Sequence, residues 1–194
     1  MSRLDLRRGH RQRRGGAALT TGVLISGEGT NLQALIDDDG VDVACVVSSR
    51  PGARGIERAR LAGLPVTVTA DPGQTADFLE LHGAELVVLA GYMRILPASF
   101  LERFPGRILN VHPSLLPAFP GRSPIADALA HGVRVTGVTV HLVDEGVDTG
   151  PILLQEAVEV PYDDDALELE RRIHLVEHRL LVRAVREFAV GAAR

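Results

Sequence analysis

The sequence predicts an α/β protein: a mostly parallel, Rossmann-like N-terminal sheet with helices on both faces, continued by antiparallel strands and a long C-terminal helix. Through the first half of the chain, short runs of aliphatic and β-branched residues alternate with stretches of helical periodicity. These apolar runs are continuous, which is the pattern of strands that are buried on both faces. The chain has 194 residues, about the size of one domain.

Strands and helices alternate in order along the first half. Residues 21–26 (TGVLIS) are predicted to form the first strand, which ends at the turn signal GEG of residues 27–29. A helix is predicted next at 31–36. The segments that follow are a strand at 41–48, a helix at 55–62, a strand at 65–69, a helix at 74–82 and a strand at 85–90. Strands separated by helices in this way pair in parallel through right-handed crossovers.

The second half contains the segments that are expected to pair in antiparallel fashion. In chain order they are a helix at 97–104, a strand at 107–112, a proline-rich loop at 113–121, a helix at 124–131 and strands at 135–143 and 151–160, joined by a turn at 144–150. Alternation along 135–143 predicts one apolar face. The longest helix, at 163–190, repeats apolar residues every three or four positions, and this stripe is expected to face the sheet.

Charge and composition exclude several classes of function. All 21 basic residues are arginine, so a Schiff-base lysine and the lysine of a phosphate-binding P-loop are excluded. Residues 1–18 hold six arginines against one acid and are expected to form a disordered leader, whereas the remaining 15 arginines face 24 acids. That acidic body disfavours nucleic acid as a partner. No run is long enough for a membrane helix and no secretory signal is visible, so we predict a cytoplasmic protein that does not contact a membrane.

The glycine-rich loop after the first predicted strand is a candidate anion site. Residues 26–32 (SGEGTNL) follow a strand and open a helix, where backbone N–H groups can approach a phosphate. A dinucleotide site is disfavoured, because Leu32 stands at the third glycine position and no acid ends the next strand. We therefore favour a single phosphomonoester held by Gly29, Thr30 and Asn31, with a plain strand-to-helix turn as the alternative.

A second candidate site combines an amide, an imidazole and a carboxylate. Asn110 and His112 are two residues apart on a predicted strand, so both side chains lie on one face near its carboxyl end. An amide donor beside an imidazole can stabilise an oxyanion and move a proton. The acidic turn at 144–150 offers Asp148 as a carboxylate that faces His112 and fixes its tautomer. The alternatives are a histidine that caps a strand and a solvated hairpin turn.

The C-terminal helix contains a short match to a metal-binding pattern. His174 and His178 match the H-x-x-E-H pattern of inverted zinc peptidases. No third ligand is evident, so we predict no metal. Glu177 lies between them and is either a solvated surface acid or a residue that faces the site.

Four segments in order resemble the folate-dependent formyltransferases, in the branch that acts on glycinamide ribonucleotide. They are ISGEGTNLQALID (25–37), LAGYMRIL (89–96), LNVHPSLLPAFPG (109–121) and VHLVDEGVDTGPILLQ (140–155). The resemblance covers roughly residues 22–190 and implies one formyltransferase domain over residues 19–194. It also implies the formyltransferase fold, and it leaves open a monomer or a homodimer.

The resemblance implies a role for each matched residue. Asn110, His112 and Asp148 match the catalytic trio, and Gly29, Thr30 and Asn31 match the segment that holds the phosphate of the ribonucleotide. Glu177 matches an acid that contacts the glycinamide. The residues implied at the folate pocket, besides Asn110, are Met93, Arg94, Ile95, Leu96, Val143 and Asp144.

The implied reaction is direct formyl transfer in purine biosynthesis. The formyl group of the co-substrate 10-formyltetrahydrofolate passes to the amine of glycinamide ribonucleotide, and no metal takes part. The two small molecules are the implied partners.

Two departures and two relatives qualify the resemblance. The segment 70–85 is about ten residues shorter than the family pattern, and Arg122-Ser-Pro-Ile125 replaces a histidine-bearing segment. The second departure resembles methionyl-tRNA formyltransferase, which carries a further C-terminal domain. Formyltetrahydrofolate deformylase shares the trio but carries an N-terminal regulatory domain. Both are kept as alternatives.

Overall fold

The computed structural model describes residues 18–162 and 165–192, so the predicted leader lies outside the described residues except for Ala18. In chain order the elements are β1 (Thr20–Ile25), α1 (Thr30–Asp37), β2 (Asp42–Ser48), α2 (Gly55–Leu61), β3 (Val66–Val68), α3 (Pro72–Leu81), β4 (Leu86–Leu89), α4 (Ala98–Leu101), β5 (Ile108–His112), α5 (Pro124–His131), β6 (Val135–Leu142), β7 (Ile152–Glu159) and α6 (Ala166–Ala192). Every predicted strand and helix is present, which confirms the α/β prediction.

The described strands form one sheet in the order β3-β2-β1-β4-β5-β6-β7. The first five strands pair in parallel, and β5, β6 and β7 continue the sheet in antiparallel fashion. The chain runs from β1 outward to β3 and then returns to β4 on the other side of β1. Open α/β sheets bind ligands at such a reversal, beside the carboxyl ends of the strands.

Both faces of the parallel strands are buried, as their continuous apolar sequences predict. On β1, Val23 and Ile25 face one cluster that also contains Leu32 of α1 and Ile173 of α6. Leu24, between them, faces a second cluster with side chains from α3 and α4. Each strand therefore contributes alternate residues to two cores, which holds its ends in a fixed position.

Helix α6 packs its apolar stripe against the sheet and α1, as predicted. Leu169, Ile173, Val176, Leu180 and Ala184 are buried. Ala166, at the start of the stripe, is exposed. Since α6 lies on α1, Glu177 on that side of α6 reaches Asn31 in the first turn of α1.

Three details differ from the sequence-based predictions. Helix α4 is limited to Ala98–Leu101, half the predicted length. Helix α3 begins at Pro72, two residues early, because the Asp71 carboxylate accepts the Gln74 N–H at 2.8 Å. Strand β6 is buried on both faces rather than only on its apolar one.

Two further features concern the cysteine and the apolar character of the helices. The lone Cys45 is buried, and burial raises the pKa of its thiol to about 11. Within residues 18–162 and 165–192, no helix has the length and apolar character needed to span a bilayer.

Candidate active site

Asn110 and His112 lie at the carboxyl end of β5 and turn toward Asp148. The amide nitrogen of Asn110 donates to Asp148 Oδ1 at 3.4 Å, and His112 Nδ1 lies 3.4 Å from Asp148 Oδ2. Strand β5 pairs with β4 on one side and β6 on the other, so its end is fixed from both sides. The structure thus brings together the three residues that the sequence analysis grouped.

Asp148 is held as a carboxylate by several donors. It sits in the turn between β6 and β7 with a positive φ of 55°, a conformation that aspartate tolerates better than most residues. Its Oδ2 accepts the Gly121 N–H at 2.8 Å. Burial acts to raise the pKa of Asp148, but hydrogen bonds from His141 and Gly121 and the charges of His112 and His141 lower it below its ordinary value.

Both ring nitrogens of His112 face oxygen acceptors. Nδ1 faces the Asp148 carboxylate, and Nε2 lies 2.9 Å from the carbonyl oxygen of Phe119. A histidine with an acceptor at each nitrogen is best satisfied when both carry hydrogen. Phe119 has a φ of 52°, in a region that bulky residues rarely adopt. The arrangement therefore offers an acceptor to each ring nitrogen of His112, with Nε2 aimed at a carbonyl oxygen.

His141 is a member of the site that the sequence analysis did not assign. It pairs with Asn110 across β5 and β6, and its Nε2 lies 3.2 Å from the amide nitrogen of Asn110 and 3.6 Å from Asp148 Oδ1. Its Nδ1 lies 2.8 Å from the Leu142 carbonyl oxygen, which orients the ring. The only signal in the sequence was a histidine on the polar side of a predicted strand.

A cavity of about 340 Å³ adjoins the trio. All six side chains implied at the folate pocket line it, namely Met93, Arg94, Ile95, Leu96, Val143 and Asp144. Asn110, His112 and Asp148 line the same cavity, as do Tyr92, Arg122 and His141, which the sequence analysis left unassigned. Cavities of ~300–1,000 Å³ hold small organic ligands.

The candidate anion site at residues 26–32, called the anion loop from here on, lies at the carboxyl end of β1. Gly29 has a φ of 71° and precedes α1 without a side-chain cap, and the first turn of α1 contains no acid. The first N–H groups of a helix have no partner inside it, so those of this loop are left to bind an anion. The loop is packed closely, because a Cβ on Gly29 would lie 2.6 Å from the Gly55 Cα. Arg58 Nε adds a hydrogen bond of 2.9 Å to the Glu28 carbonyl.

Asn31 and Glu177 are joined although they are 146 residues apart in the chain. The Asn31 amide donates to Glu177 Oε2 at 3.2 Å, and Asn31 Oδ1 is buried without a hydrogen-bond partner among the described residues. Glu177 is 6% exposed, which rules out the solvated-acid alternative. Burial raises its pKa, against the lowering effects of the Asn31 hydrogen bond and of His174.

The anion loop and the cavity are neighbouring but separate. Gly29, Thr30, Asn31 and Glu177 do not line the cavity. Ser26, at the start of the loop, connects the two, because its Oγ accepts the Met93 N–H at 2.9 Å and its own N–H donates to the Gly91 carbonyl at 3.1 Å. The two candidate sites therefore share the edge formed by β1, β4 and β5.

The zinc-like pattern on α6 forms no metal centre in the part of the chain that the structure describes. His174 and His178 stack with ring centroids 6.4 Å apart. No group of three histidine, cysteine, aspartate or glutamate side chains is arranged to hold an ion there.

Comparison with known proteins supports the resemblance. Phosphoribosylglycinamide formyltransferase of Mycobacterium tuberculosis is 48% identical over 180 residues, or 86% of this chain and 83% of that protein. The trifunctional purine biosynthetic protein adenosine-3 of Drosophila melanogaster is 43% identical over 187 residues, but the chain spans only 14% of its length. The crystal structure of glycinamide ribonucleotide transformylase 1 from Symbiobacterium toebii aligns with a TM-score of 0.87 and 48% identity, covering 91% of this chain and 90% of that one.

The family with the description Formyl transferase matches residues 21–185, which include both candidate sites. The similarity to relatives named phosphoribosylglycinamide formyltransferase confirms the branch that the motifs predicted. The chain belongs to the formyl transferase family.

Proposed function

We propose that this protein transfers the formyl group of 10-formyltetrahydrofolate to the amine of glycinamide ribonucleotide. The products are the formylated ribonucleotide and tetrahydrofolate. The single observation that carries the proposal is the contact of Asn110 and His112 with the largely buried carboxylate of Asp148, at the edge of a cavity and beside an anion loop. A protonated imidazole and an amide N–H next to a cavity suit a reaction that develops negative charge on an oxygen.

The reaction is an attack of the amine nitrogen on the formyl carbon. A C–N bond forms, and the formyl oxygen takes up negative charge in a tetrahedral intermediate. His112 Nε2 and the Asn110 amide donate to that oxygen, which replaces the Phe119 carbonyl as the partner of His112. When the intermediate collapses, the bond from carbon to the folate nitrogen breaks, and the proton lost by the amine passes to that nitrogen through water.

Asp148 acts mainly through its charge. Its hydrogen bonds and its two histidine neighbours lower its pKa, so it stays ionised while the reaction proceeds. An ionised carboxylate at His112 Nδ1 favours the doubly protonated ring. Positioned proton transfer contributes about 10²–10⁴ in rate, and a preorganised donor contributes about 10²–10³.

The anion loop supplies the site for the ribonucleotide. Its free helix N-terminus and the close packing of Gly29 on Gly55 provide N–H groups in fixed positions for a phosphate. Glu177 and Asn31 then lie on the α6 side of that phosphate, where a carboxylate and an amide oxygen can bind the glycinamide amine.

The cavity supplies the site for the co-substrate. Its walls combine apolar side chains such as Leu89, Leu96 and Val143 with the polar residues of the trio. Such a lining fits an aromatic ring that carries a reactive group at one end.

The test is the consumption of 10-formyltetrahydrofolate by purified protein with and without glycinamide ribonucleotide. We expect consumption only with the ribonucleotide, together with formylated product, and a His112→Ala variant should lose most of it. Loss of formyl-folate without an acceptor would instead indicate a deformylase. Transfer to methionyl-tRNA, or no reaction in any mixture, would also refute the proposal.

A second variant tests the ribonucleotide site separately. Asn31→Asp places a carboxylate against Glu177, so we expect the KM for the ribonucleotide to rise at least tenfold while the KM for formyl-folate stays unchanged. An unchanged KM for the ribonucleotide would refute the phosphate site.

A cytoplasmic location and a monomeric or homodimeric state are also part of the proposal. Size-exclusion chromatography with light scattering tests the oligomeric state.

A further inference from the structure

We propose that Gln155 is a positioning residue: it holds the loop at 113–121 in the conformation that presents the Phe119 carbonyl and the Gly121 N–H to the trio. The proposal rests on the proposed function, because it concerns the rate of the same reaction. Gln155 is the last residue of the fourth motif and does not line the cavity. It lies on β7, the strand at the edge of the sheet.

The side-chain amide of Gln155 donates two hydrogen bonds beneath the loop. Its Nε2 lies 2.8 Å from the Leu116 carbonyl oxygen and 3.0 Å from Thr139 Oγ1. The Leu116 carbonyl can only accept, so the NH₂ end of the amide must face it. The loop is therefore joined to β7 through Leu116, and Gln155 is joined to β6 through Thr139.

The Thr139 hydroxyl leaves only one arrangement of donors. Thr139 is fully buried, and its Oγ1 donates to the Ser114 carbonyl at 2.7 Å and accepts the Leu116 N–H at 3.1 Å. A hydroxyl has one hydrogen and two lone pairs, so the second lone pair is left for Gln155. An acceptor at position 155 would leave both the Thr139 oxygen and the Leu116 carbonyl without this donor.

The loop packs directly on β6, because Gly137 has no side chain. A Cβ on Gly137 would lie 2.7 Å from Leu115 Cδ2. Ser114 is fully buried, and its hydroxyl donates to the Ala118 carbonyl at 2.5 Å. The loop is therefore anchored as far as Ala118, the residue before Phe119.

Two contacts to the trio follow directly after this anchored stretch. The Phe119 carbonyl oxygen lies 2.9 Å from His112 Nε2, and the Gly121 N–H donates to Asp148 Oδ2 at 2.8 Å. Phe119 and Gly121 have positive φ angles of 52° and 97°. For a phenylalanine this conformation is unfavourable and persists only where surrounding contacts hold it. The hydrogen bonds of Gln155 are contacts of this kind.

The experiment compares Gln155→Glu with Gln155→Lys in the full chain. Glutamate has nearly the shape of glutamine, but its ionised carboxylate only accepts, whereas lysine keeps a donor for the Leu116 carbonyl. We expect Gln155→Glu to lower kcat about ten- to a hundredfold, the range for a buried hydrogen bond left unmade, with an unchanged KM for the ribonucleotide. Gln155→Lys should recover most of this loss. Glu159→Gln, exposed on the same face of β7, is the matched control and should keep wild-type kcat.

Two further readouts distinguish positioning from a general loss of stability. In Gln155→Glu, the Gly121 N–H should exchange with solvent faster, while the N–H groups of β4 exchange as in the wild-type protein. The acid limb of the kcat–pH profile should also move to higher pH. Burial raises the pKa of Asp148, whereas hydrogen bonds from His141 and Gly121 and the charges of His112 and His141 lower it. A weaker bond from Gly121 therefore raises this pKa, and the reaction needs the ionised form.

A wild-type kcat in Gln155→Glu, or an equal loss in Gln155→Lys, would overturn the positioning role. So would a Gly121 N–H that exchanges at the wild-type rate in Gln155→Glu, or exchange that becomes faster throughout the sheet. A wild-type protein that transfers no formyl group would overturn the proposed function, and the exchange rate of Gly121 would still test whether Gln155 holds the loop.

Discussion

Replacement of Asp148 by asparagine tests the electrostatic core of the mechanism. The variant keeps the size of the side chain and removes its charge. An asparagine oxygen can still accept the Gly121 N–H, but its amide then faces the Asn110 amide, which is also a donor. If the new amide is rotated, its oxygen accepts from Asn110, but its NH₂ group then faces the Gly121 N–H and two donors oppose each other. The carboxylate is thus the only group that satisfies both sides.

The expected loss follows from the distance between the charges. Opposite unit charges 3.4 Å apart attract by about 5 kcal/mol at an effective dielectric constant of ~20. The Asp148 side chain is only 12% exposed, so water screens the pair little. Allowing for relaxation, a loss of ~3–5 kcal/mol corresponds to a fall in kcat of about 10²–10⁴, at ~1.4 kcal/mol for each factor of ten.

The assay is kcat at saturating concentrations of both substrates, with the ¹⁵N chemical shifts of the His112 ring measured in parallel. We expect the Nδ1 resonance to move in Asp148→Asn, because Nδ1 loses the charged acceptor that lies 3.4 Å away in the wild-type protein. Glu145→Gln, in the same turn but exposed and outside the cavity, should keep wild-type kcat. A kcat within threefold of wild type for Asp148→Asn, with the protein folded, would refute the assigned role.

Three further variants probe the neighbouring groups. Asn110→Ala removes an oxyanion donor and should lower kcat by ~10²–10³ with little change in either KM; a change in KM alone would refute this role. Gly55→Ala introduces a Cβ 2.5 Å from Ile25 Cδ1 and 3.2 Å from the Gly29 Cα, so it should raise the KM for the ribonucleotide and lower stability by ~1–3 kcal/mol in a denaturant titration. Glu177→Gln should raise the melting temperature at pH 8 by about 2–4 °C, the shift for ~1 kcal/mol in a domain of this size, and should leave it unchanged at pH 4. An equal shift at both pH values would contradict the assigned cause.

Periodicity was sufficient to predict the framework of the site. The two-residue period of a strand placed Asn110 and His112 on one face, and continuous apolar runs predicted the buried parallel strands. These are local properties, because the side chains of a strand alternate whatever lies around it. The local pattern offered Asp148 and Glu177 as site residues only beside the alternative of solvated acids, and the family resemblance favoured the site for both.

The remaining features depend on contacts between distant parts of the chain. His141 meets Asn110 only through the register of β5 and β6, and the sequence of neither strand determines that register. The Phe119 carbonyl and the Gly121 N–H reach the site because the loop has a positive φ at both residues. The positive φ at Phe119 could not be predicted from the sequence, because phenylalanine rarely adopts it. The short α4 begins after the extended Pro97 and ends within one turn, so the apolar residues that follow it join the core without helical structure.

In the proposed mechanism, two carboxylates with little exposure, Asp148 and Glu177, have different roles. Hydrogen bonds and positive charge lower the pKa of Asp148, whereas burial raises the pKa of Glu177. Groups whose surroundings move their pKa values apart take different roles in a proton transfer. We therefore propose that Asp148 remains ionised and holds His112, and that Glu177 can accept a proton from an incoming ammonium group.

The direction of the Glu177 pKa shift also determines the pH range in which this residue destabilises the protein. When folding raises the pKa of a carboxyl group, the group destabilises the protein increasingly as the pH rises from its pKa in the unfolded chain to its pKa in the folded protein. Below the first of these two pKa values it has no effect. A glutamine at this position removes the destabilisation at pH 8 and retains an acceptor for the Asn31 amide. It cannot accept the proton of the substrate amine, so the KM for the ribonucleotide should rise in the same variant that gains stability. Opposite changes in stability and substrate binding at one residue are expected where a buried charge is retained for function.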